Sequence, residues 1–247
     1  MRNAVAAALA AVLSMGTAHA GDLHGSSLKD MPVPVGCTMC WGGLYVGSTL
    51  GLGVGDTEEK YIGYDIAYLP DYFDMNGQIY GINIDYNIQS GSLVFGVEAS
   101  INGTTMDGHY LDPYDGYDYK RKLDWYGAVT GRLGYAPGNI MYYSFVGPAW
   151  GEVKTTRTDY ANITPVDTND SATHFGWTAG VGLEWAFNDC FTARIEYAHI
   201  DLGSKTILDE PAYHGHHKAD LEFDAIKIGA SYKLRGREDR MIETPLK

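Results

Sequence analysis

Period-two alternation is the feature that most constrains this chain. Between Tyr80 and Ile88, the residues Tyr80, Ile82, Ile84, Tyr86 and Ile88 alternate with Gly81, Asn83, Asp85 and Asn87. One face is apolar and the other is polar or has no side chain, as in a β-strand with two different surroundings. After the hairpin-length turn Gln89-Ser90-Gly91-Ser92 the pattern resumes. Leu93, Phe95, Val97, Ala99 and Ile101 now alternate with Val94, Gly96, Glu98, Ser100 and Asn102.

The same period recurs along the chain. It places Leu123, Trp125, Val129, Leu133 and Tyr135 on one face, against Asp124, Tyr126, Thr130, Arg132 and Gly134. Ala136-Pro137-Gly138-Asn139 then turns the chain, and Met141 to Val153 follows with a less clean pattern. Phe175 to Phe187 alternates strictly, turns at Asn188-Asp189, and continues through Phe191, Ala193, Ile195 and Tyr197. The last segment sets Ile226, Ile228, Ala230, Tyr232 and Leu234 against Lys227, Gly229, Ser231 and Lys233. The first sets Leu44, Val46, Leu50 and Leu52 against Tyr45, Gly47, Thr49 and Gly51.

The alternation predicts about eight strands, each offering roughly the 9–11 residues that a tilted strand needs to cross a bilayer. The connections alternate in length. Tight ones fall near 89–92, 136–139 and 188–190, and long polar ones near 55–74, 103–120, 154–173 and 203–220. An apolar face this continuous lies either inside a soluble barrel, around a ligand, or outside a membrane barrel, against lipid. The opposite face decides. It carries Asp85, Glu98, Asp124, Glu184 and Glu196 with Arg132, Arg194, Lys227 and Lys233. Nearly balanced charges are tolerated inside a narrow barrel, where each finds a partner, and a soluble exterior needs no such balance. The expected fold is therefore all-β, an eight-stranded antiparallel up-and-down transmembrane β-barrel.

The remaining segments are read around that barrel. Arg2, the apolar run Ala4 to Met15 and the small residues Ala18 and Ala20 make residues 1–20 an expected signal peptide, too short to span a bilayer. The expected domains are this leader, a periplasmic segment over 21–40, the barrel over 41–234 and a tail over 235–247. No later apolar run is long enough for a membrane helix. A formal charge of −13 argues against nucleic acid as a partner.

Five stretches carry a resemblance. Trp41-Gly-Gly-Leu-Tyr-Val-Gly47 looks like a first-strand signature. Tyr86-Asn-Ile-Gln89 with Val94-Phe-Gly-Val-Glu98 agrees, as does Asp124-Trp-Tyr-Gly127 with Gly131-Arg-Leu-Gly-Tyr-Ala136. So do Gly176-Trp-Thr-Ala-Gly-Val-Gly-Leu-Glu184 and Arg194-Ile-Glu-Tyr197. In order and spacing these resemble the alphaproteobacterial outer-membrane β-barrel proteins, the porin-family surface antigens. That group is similar in fold to the transmembrane domain of outer membrane protein A and to the opacity proteins. The resemblance implies an eight-stranded barrel in the outer membrane of a Gram-negative bacterium and no single activity. It also implies a terminal aromatic residue read by the barrel-insertion machinery. Here Tyr232-Lys233-Leu234 is followed by a charged tail, so either Tyr232 acts within an internal signal or assembly differs. The tail itself is read as an overhang, with a periplasmic contact segment as the alternative.

The candidate sites are few. An eight-stranded barrel is just wide enough to be filled by side chains. Glu98, Arg132, Glu184, Arg194, Glu196 and Lys227 are therefore expected as barrel-interior ion pairs rather than as a conduction path. Cys37, Cys40 and Cys190 all fall at the short-turn end, so a disulfide of Cys190 with Cys37 or Cys40 is expected, a local Cys37–Cys40 bond being the rival. His214, His216 and His217 are weak candidates for zinc, copper or haem. The stretch 112–119 lacks a calcium-loop spacing. His199, Asp201 and Ser204 lie near one strand end without a nucleophile motif, so no catalysis, cofactor or dedicated metal site is expected. Tyrosines such as Tyr61, Tyr64, Tyr114 and Tyr117 fit a binding surface or an interfacial girdle equally.

The expected role is a structural and surface protein of the outer membrane, partnered by lipid, whose extracellular loops serve envelope integrity or bind a host or environmental ligand. The alternatives are a small low-conductance porin, and haem or metal binding through 214–217.

Overall fold

The structure is a computed structural model and describes residues 40–63, 66–67, 71–111, 117–159, 166–210 and 215–234. The expected leader 1–20, nearly all of segment 21–40 and the tail 235–247 lie outside these residues. The described chain is strand almost throughout. Its elements are β1 (Gly43–Gly63), β2 (Ile66–Ala67), β3 (Asp71–Ser90), β4 (Leu93–Thr104), β5 (Asp107–Leu111), β6 (Tyr117–Tyr135), β7 (Ile140–Asp159), β8 (Val166–Ala186), β9 (Phe191–Glu210) and β10 (Gly215–Leu234).

Each strand pairs antiparallel with its neighbours, and β1 pairs with both β3 and β10, so the sheet closes. β4 and β5 form one stave, both paired to β6, and β2 only extends the end of β1. The result is an eight-staved up-and-down barrel with no free edge along its wall.

Local chemistry sets the tight turns. Gly91 adopts φ 61°, where a side chain would be strained. The Asn188 carboxamide oxygen accepts from the backbone N–H groups of Cys190 and Phe191, both at 2.9 Å, and so fixes the β8–β9 turn.

The regions expected as long loops are largely paired strand instead. β1 and β3 stay in register up to Glu59 opposite Asp71, and β7 and β8 up to Asp159 opposite Val166. These extensions carry Lys122, Lys154 and Ser171 facing outward, exposed. A strand whose outer face meets water needs no apolar residue there, so its composition resembles that of a loop.

The wall thus has two levels. At the short-turn level the outward residues are apolar and exposed, with Leu50 at 63% and Phe175 at 73%. The inward ones there include the buried charges Asp85, Glu98, Arg132, Glu184, Arg194 and Glu196, with Trp41, Tyr45, Val94, Met141 and Phe145 beside them. At the far level most inward residues are apolar, Leu202 at 0% and Leu221 at 1%, with Arg121, His174 and Thr155 buried among them. A β-bulge marks the change on β6. The β6–β7 register shifts between Leu123 and Trp125, which turns Leu123 inward and leaves Trp125 outward. Leu123 therefore does not share the face of Val129 and Leu133. For the same reason Asp124 is not a lumen residue. It points outward and binds Lys154 at 2.5 Å and Lys122 at 3.1 Å.

Candidate functional site

The lumen is the candidate site, and three layers of side chains occupy it. The first closes the short-turn end. Trp41 is fully buried. Its backbone N–H donates to Gln89 Oε1 at 2.7 Å and its indole N–H to the Gly138 carbonyl at 3.0 Å. Tyr45 donates its hydroxyl to the Trp41 carbonyl at 3.1 Å. The aromatic plug is thereby tied to β1, to the end of β3 and to the β6–β7 turn. Lys233, expected among the lumen charges, lies at this mouth, where Nζ donates to the Cys40 carbonyl at 2.9 Å.

The second layer is a charged cluster. Arg132 meets Glu184 at 2.9 Å, and Glu98 and Asp85 at 3.6 Å each. Arg194 meets Glu98 at 2.8 Å, Glu196 at 3.6 Å and Asp85 at 3.8 Å. Lys227 reaches Glu196 at 3.1 Å. Neutral groups complete the layer. Tyr143 donates to Glu196 and Thr192 to Glu184, both at 2.6 Å, and Asn83 donates to Asp85 at 2.7 Å. The Arg132 guanidinium also stacks 4.2 Å from the centre of the Tyr143 ring. The participants come from β3, β4, β6, β7, β8, β9 and β10, so one network ties most of the wall together. Such charges are tolerated away from water only because each is paired and hydrogen-bonded.

The third layer is an apolar core at the far level. Met75, Ile79, Met106, Leu123, Ile200 and Leu202 are buried there with Leu221 and Phe223. The Tyr126 and Phe223 rings meet edge to face, 5.5 Å apart, just above the charged layer.

Sequence reasoning named Glu98, Arg132, Glu184, Arg194, Glu196 and Lys227, and the structure brings all six into the second layer. It did not name Tyr143, Thr192 or the Trp41 plug. β7 carries large apolar or aromatic residues on both faces, Tyr142 and Val146 outward with Tyr143 and Phe145 inward, so no alternation betrays Tyr143. Trp41 lies before the first strand, where no period exists to read.

The other candidates fall elsewhere. His199 faces outward on β9, with Nδ1 2.9 Å from Asp224 Oδ1, which also accepts from the Tyr197 hydroxyl at 2.9 Å. Asp201 accepts from the Gly203 N–H at 2.8 Å, and Ser204 is exposed. The partner of His199 is thus Asp224 rather than Ser204. His214 lies outside the described residues, and the backbone of His216 and His217 belongs to β10 rather than to an open loop. Among the described residues, no group of three or more metal-ligating side chains gathers. Cys40 and Cys190 are free thiols, and Cys37 lies outside the described residues.

A closed wall with an apolar belt outside and charges inside is the architecture that a bilayer selects. Comparison with known proteins agrees. The family described as "Outer membrane protein beta-barrel domain" matches residues 5–233. The 31 kDa outer-membrane immunogenic protein of Brucella melitensis is 27% identical over 243 residues, covering 95% of this chain and 100% of the relative. The 22 kDa outer membrane protein of Rhizobium leguminosarum is 29% identical over 202 residues, covering 81% and 82%. Among solved structures, the outer membrane protein OprG of Pseudomonas aeruginosa aligns with TM-score 0.52 at 12% identity, covering 81% of this chain and all of that one, a likeness of fold alone. The protein is an outer-membrane barrel, and the chain belongs to the outer membrane protein β-barrel domain family.

Proposed function

We propose that the protein is a non-conducting surface barrel. In this reading the wall anchors it in outer-membrane lipid, and the far end presents binding surface beyond the bilayer. The supporting observation is the filled lumen, with the Trp41 plug, the charged cluster and the apolar core stacked in one narrow barrel. Short turns face the periplasm in outer-membrane barrels, so the far level and its connections are assigned to the outside. The Brucella relatives are named immunogenic, which accords with an exposed outer end. Insertion machinery and a host or environmental ligand are the partners this reading implies. The homologues' names also favour a non-enzymatic role.

Planar-bilayer recording tests the reading. A current indistinguishable from bare lipid is expected, and a reproducible open level contradicts it. A low-conductance porin is the second reading. It is favoured by buried polar atoms without a hydrogen-bond partner, among them Asn83 Oδ1, Asn87 Oδ1, Asn102 Oδ1 and Ser231 Oγ, which favour water on one side of the lumen.

A further inference from the structure

The outward residues of β3, β1, β10 and β9 fall into transverse rows across the wall. Leu50 lies opposite Tyr80 and Ile228, and Leu52 opposite Gln78 and Ile226. The next row sets Val54 beside Asp224. These side chains border a groove of about 800 Å³ on the outer wall. Its upper end is polar, with Asp224 Oδ1 held by the Tyr197 hydroxyl and by His199 Nδ1, both at 2.9 Å. One row higher, Asp56 lies opposite Asp74 on β3 and Glu222 on β10, and Glu222 lies opposite Asp201 on β9. Four carboxylates on four adjacent strands cap the groove. Like charges directly opposite each other in a ladder are destabilising. Among the described residues, no lysine or arginine shares the outward face of these rows. On β6 and β7, by contrast, the outward Asp124 has both Lys122 and Lys154.

We propose that this groove binds the chain of a lipid whose headgroup carries an amine, with the ammonium seated on the carboxylate row. Groove and carboxylates adjoin along the strands, in the order in which an amphiphile presents its chain and its head. The depth fits as well. From Leu50 to Asp56 the strand rises roughly 20 Å. At a tilt of roughly 40° that is roughly 15 Å of depth, one leaflet's share of the hydrocarbon core. An ammonium on the row meets carboxylates that have no other cation, and it relieves their mutual repulsion. A headgroup with only a phosphate is repelled there. The leaflet is the outer one on the sidedness assigned above, whereas the site itself does not depend on that assignment.

The test uses the full-length barrel in phosphatidylcholine vesicles, with nitroxide-labelled chains read by electron spin resonance. One probe is an alkylammonium, and the other is the alcohol of the same chain. The motionally restricted, protein-bound fraction of the ammonium probe should exceed that of the alcohol about fivefold, the scale of one favourable charge at a membrane surface. The excess should vanish in the triple variant Asp56→Asn, Asp74→Asn and Glu222→Gln, which keeps every apolar residue. It should also vanish in Leu52→Trp, which fills the groove and keeps every carboxylate. Equal fractions for both probes in wild type would overturn the proposal. So would an excess that survives Leu52→Trp, because the row would then be a general cation surface. Preference for a phosphate-headed probe in the presence of magnesium would overturn it in favour of a metal-bridged anionic lipid. The vesicles present each probe in both leaflets, so none of these outcomes depends on sidedness.

Discussion

The lower and upper levels of the barrel share strands but reverse their polarity. On β10, Ile226 and Ile228 point outward at 59% exposure each, while Lys227 between them is buried against Glu196. A few residues earlier on the same strand, Leu221 and Phe223 are buried inward and Glu222 points out, exposed. The period of two is unbroken in direction, yet the apolar residues have changed faces. The medium outside the wall explains this. Lipid accepts an apolar exterior and leaves the lumen to paired charges, whereas water demands a polar exterior and drives the apolar residues inward.

The largest effect is expected from breaking the lower lumen. Arg194→Ala leaves Glu98 and Glu196 facing each other without their shared cation. The expected loss is about 3–5 kcal/mol, read from urea unfolding in lipid vesicles. A loss within about 0.5 kcal/mol would mean that water already screens the cluster.

The upper core should respond similarly by a different mechanism. Phe223→Ala removes a buried ring packed on Tyr126 and is expected to cost about 3–5 kcal/mol by leaving a cavity. This loss should be insensitive to salt, because no charge is removed. A clear salt dependence would dissolve the distinction between the two levels.

Outer-face substitutions sharpen the contrast. Leu50→Arg places a charge in the apolar belt and should cost about 2–4 kcal/mol if the position lies near the bilayer midplane. Thr173→Arg, also outward and exposed but at the far level, should stay within about 0.5 kcal/mol. Equal penalties would place both positions in one medium.

The smallest effect concerns Asp124. Hydrogen bonds from Lys154 and then Lys122 hold its carboxyl below the usual carboxylate range. A carboxyl depressed in the folded state adds stability above its unfolded pKa and loses it as pH falls through the lower folded value. The pair is largely solvated, so a slight acid-side loss of stability, absent in Asp124→Asn, is the expected outcome in matched pH titrations. An identical pH profile in wild type and variant would contradict the coupling.

The contrast also explains what could be read from the sequence. In the lower level the outward run Tyr80, Ile82, Ile84 and Tyr86 stands clear of Asn83 and Asp85, so strand, phase and lumen charges are all legible. In the upper level the outward residues are polar and the inward Met75, Met106 and Leu221 are widely spaced, so paired strand looks like loop. Bulges do further damage, because one extra residue at Leu123/Trp125 moves Leu123 and Asp124 to faces that a strict period assigns wrongly. The Trp41 plug depends on contacts with Gln89 and Gly138, which no local pattern encodes.

The most direct test of the two-level wall is spin-label accessibility along one strand, read with oxygen as the lipid-phase probe and a nickel chelate as the aqueous probe. Single labels at 221, 222, 223 and 228 on β10 suffice. The account predicts that 228 collides with oxygen, 222 with nickel, and 221 and 223 with neither. Oxygen access at 222 equal to that at 228 would put the whole wall in lipid, and nickel access at 221 or 223 would put water where the apolar core should be. Either result would contradict the polarity reversal.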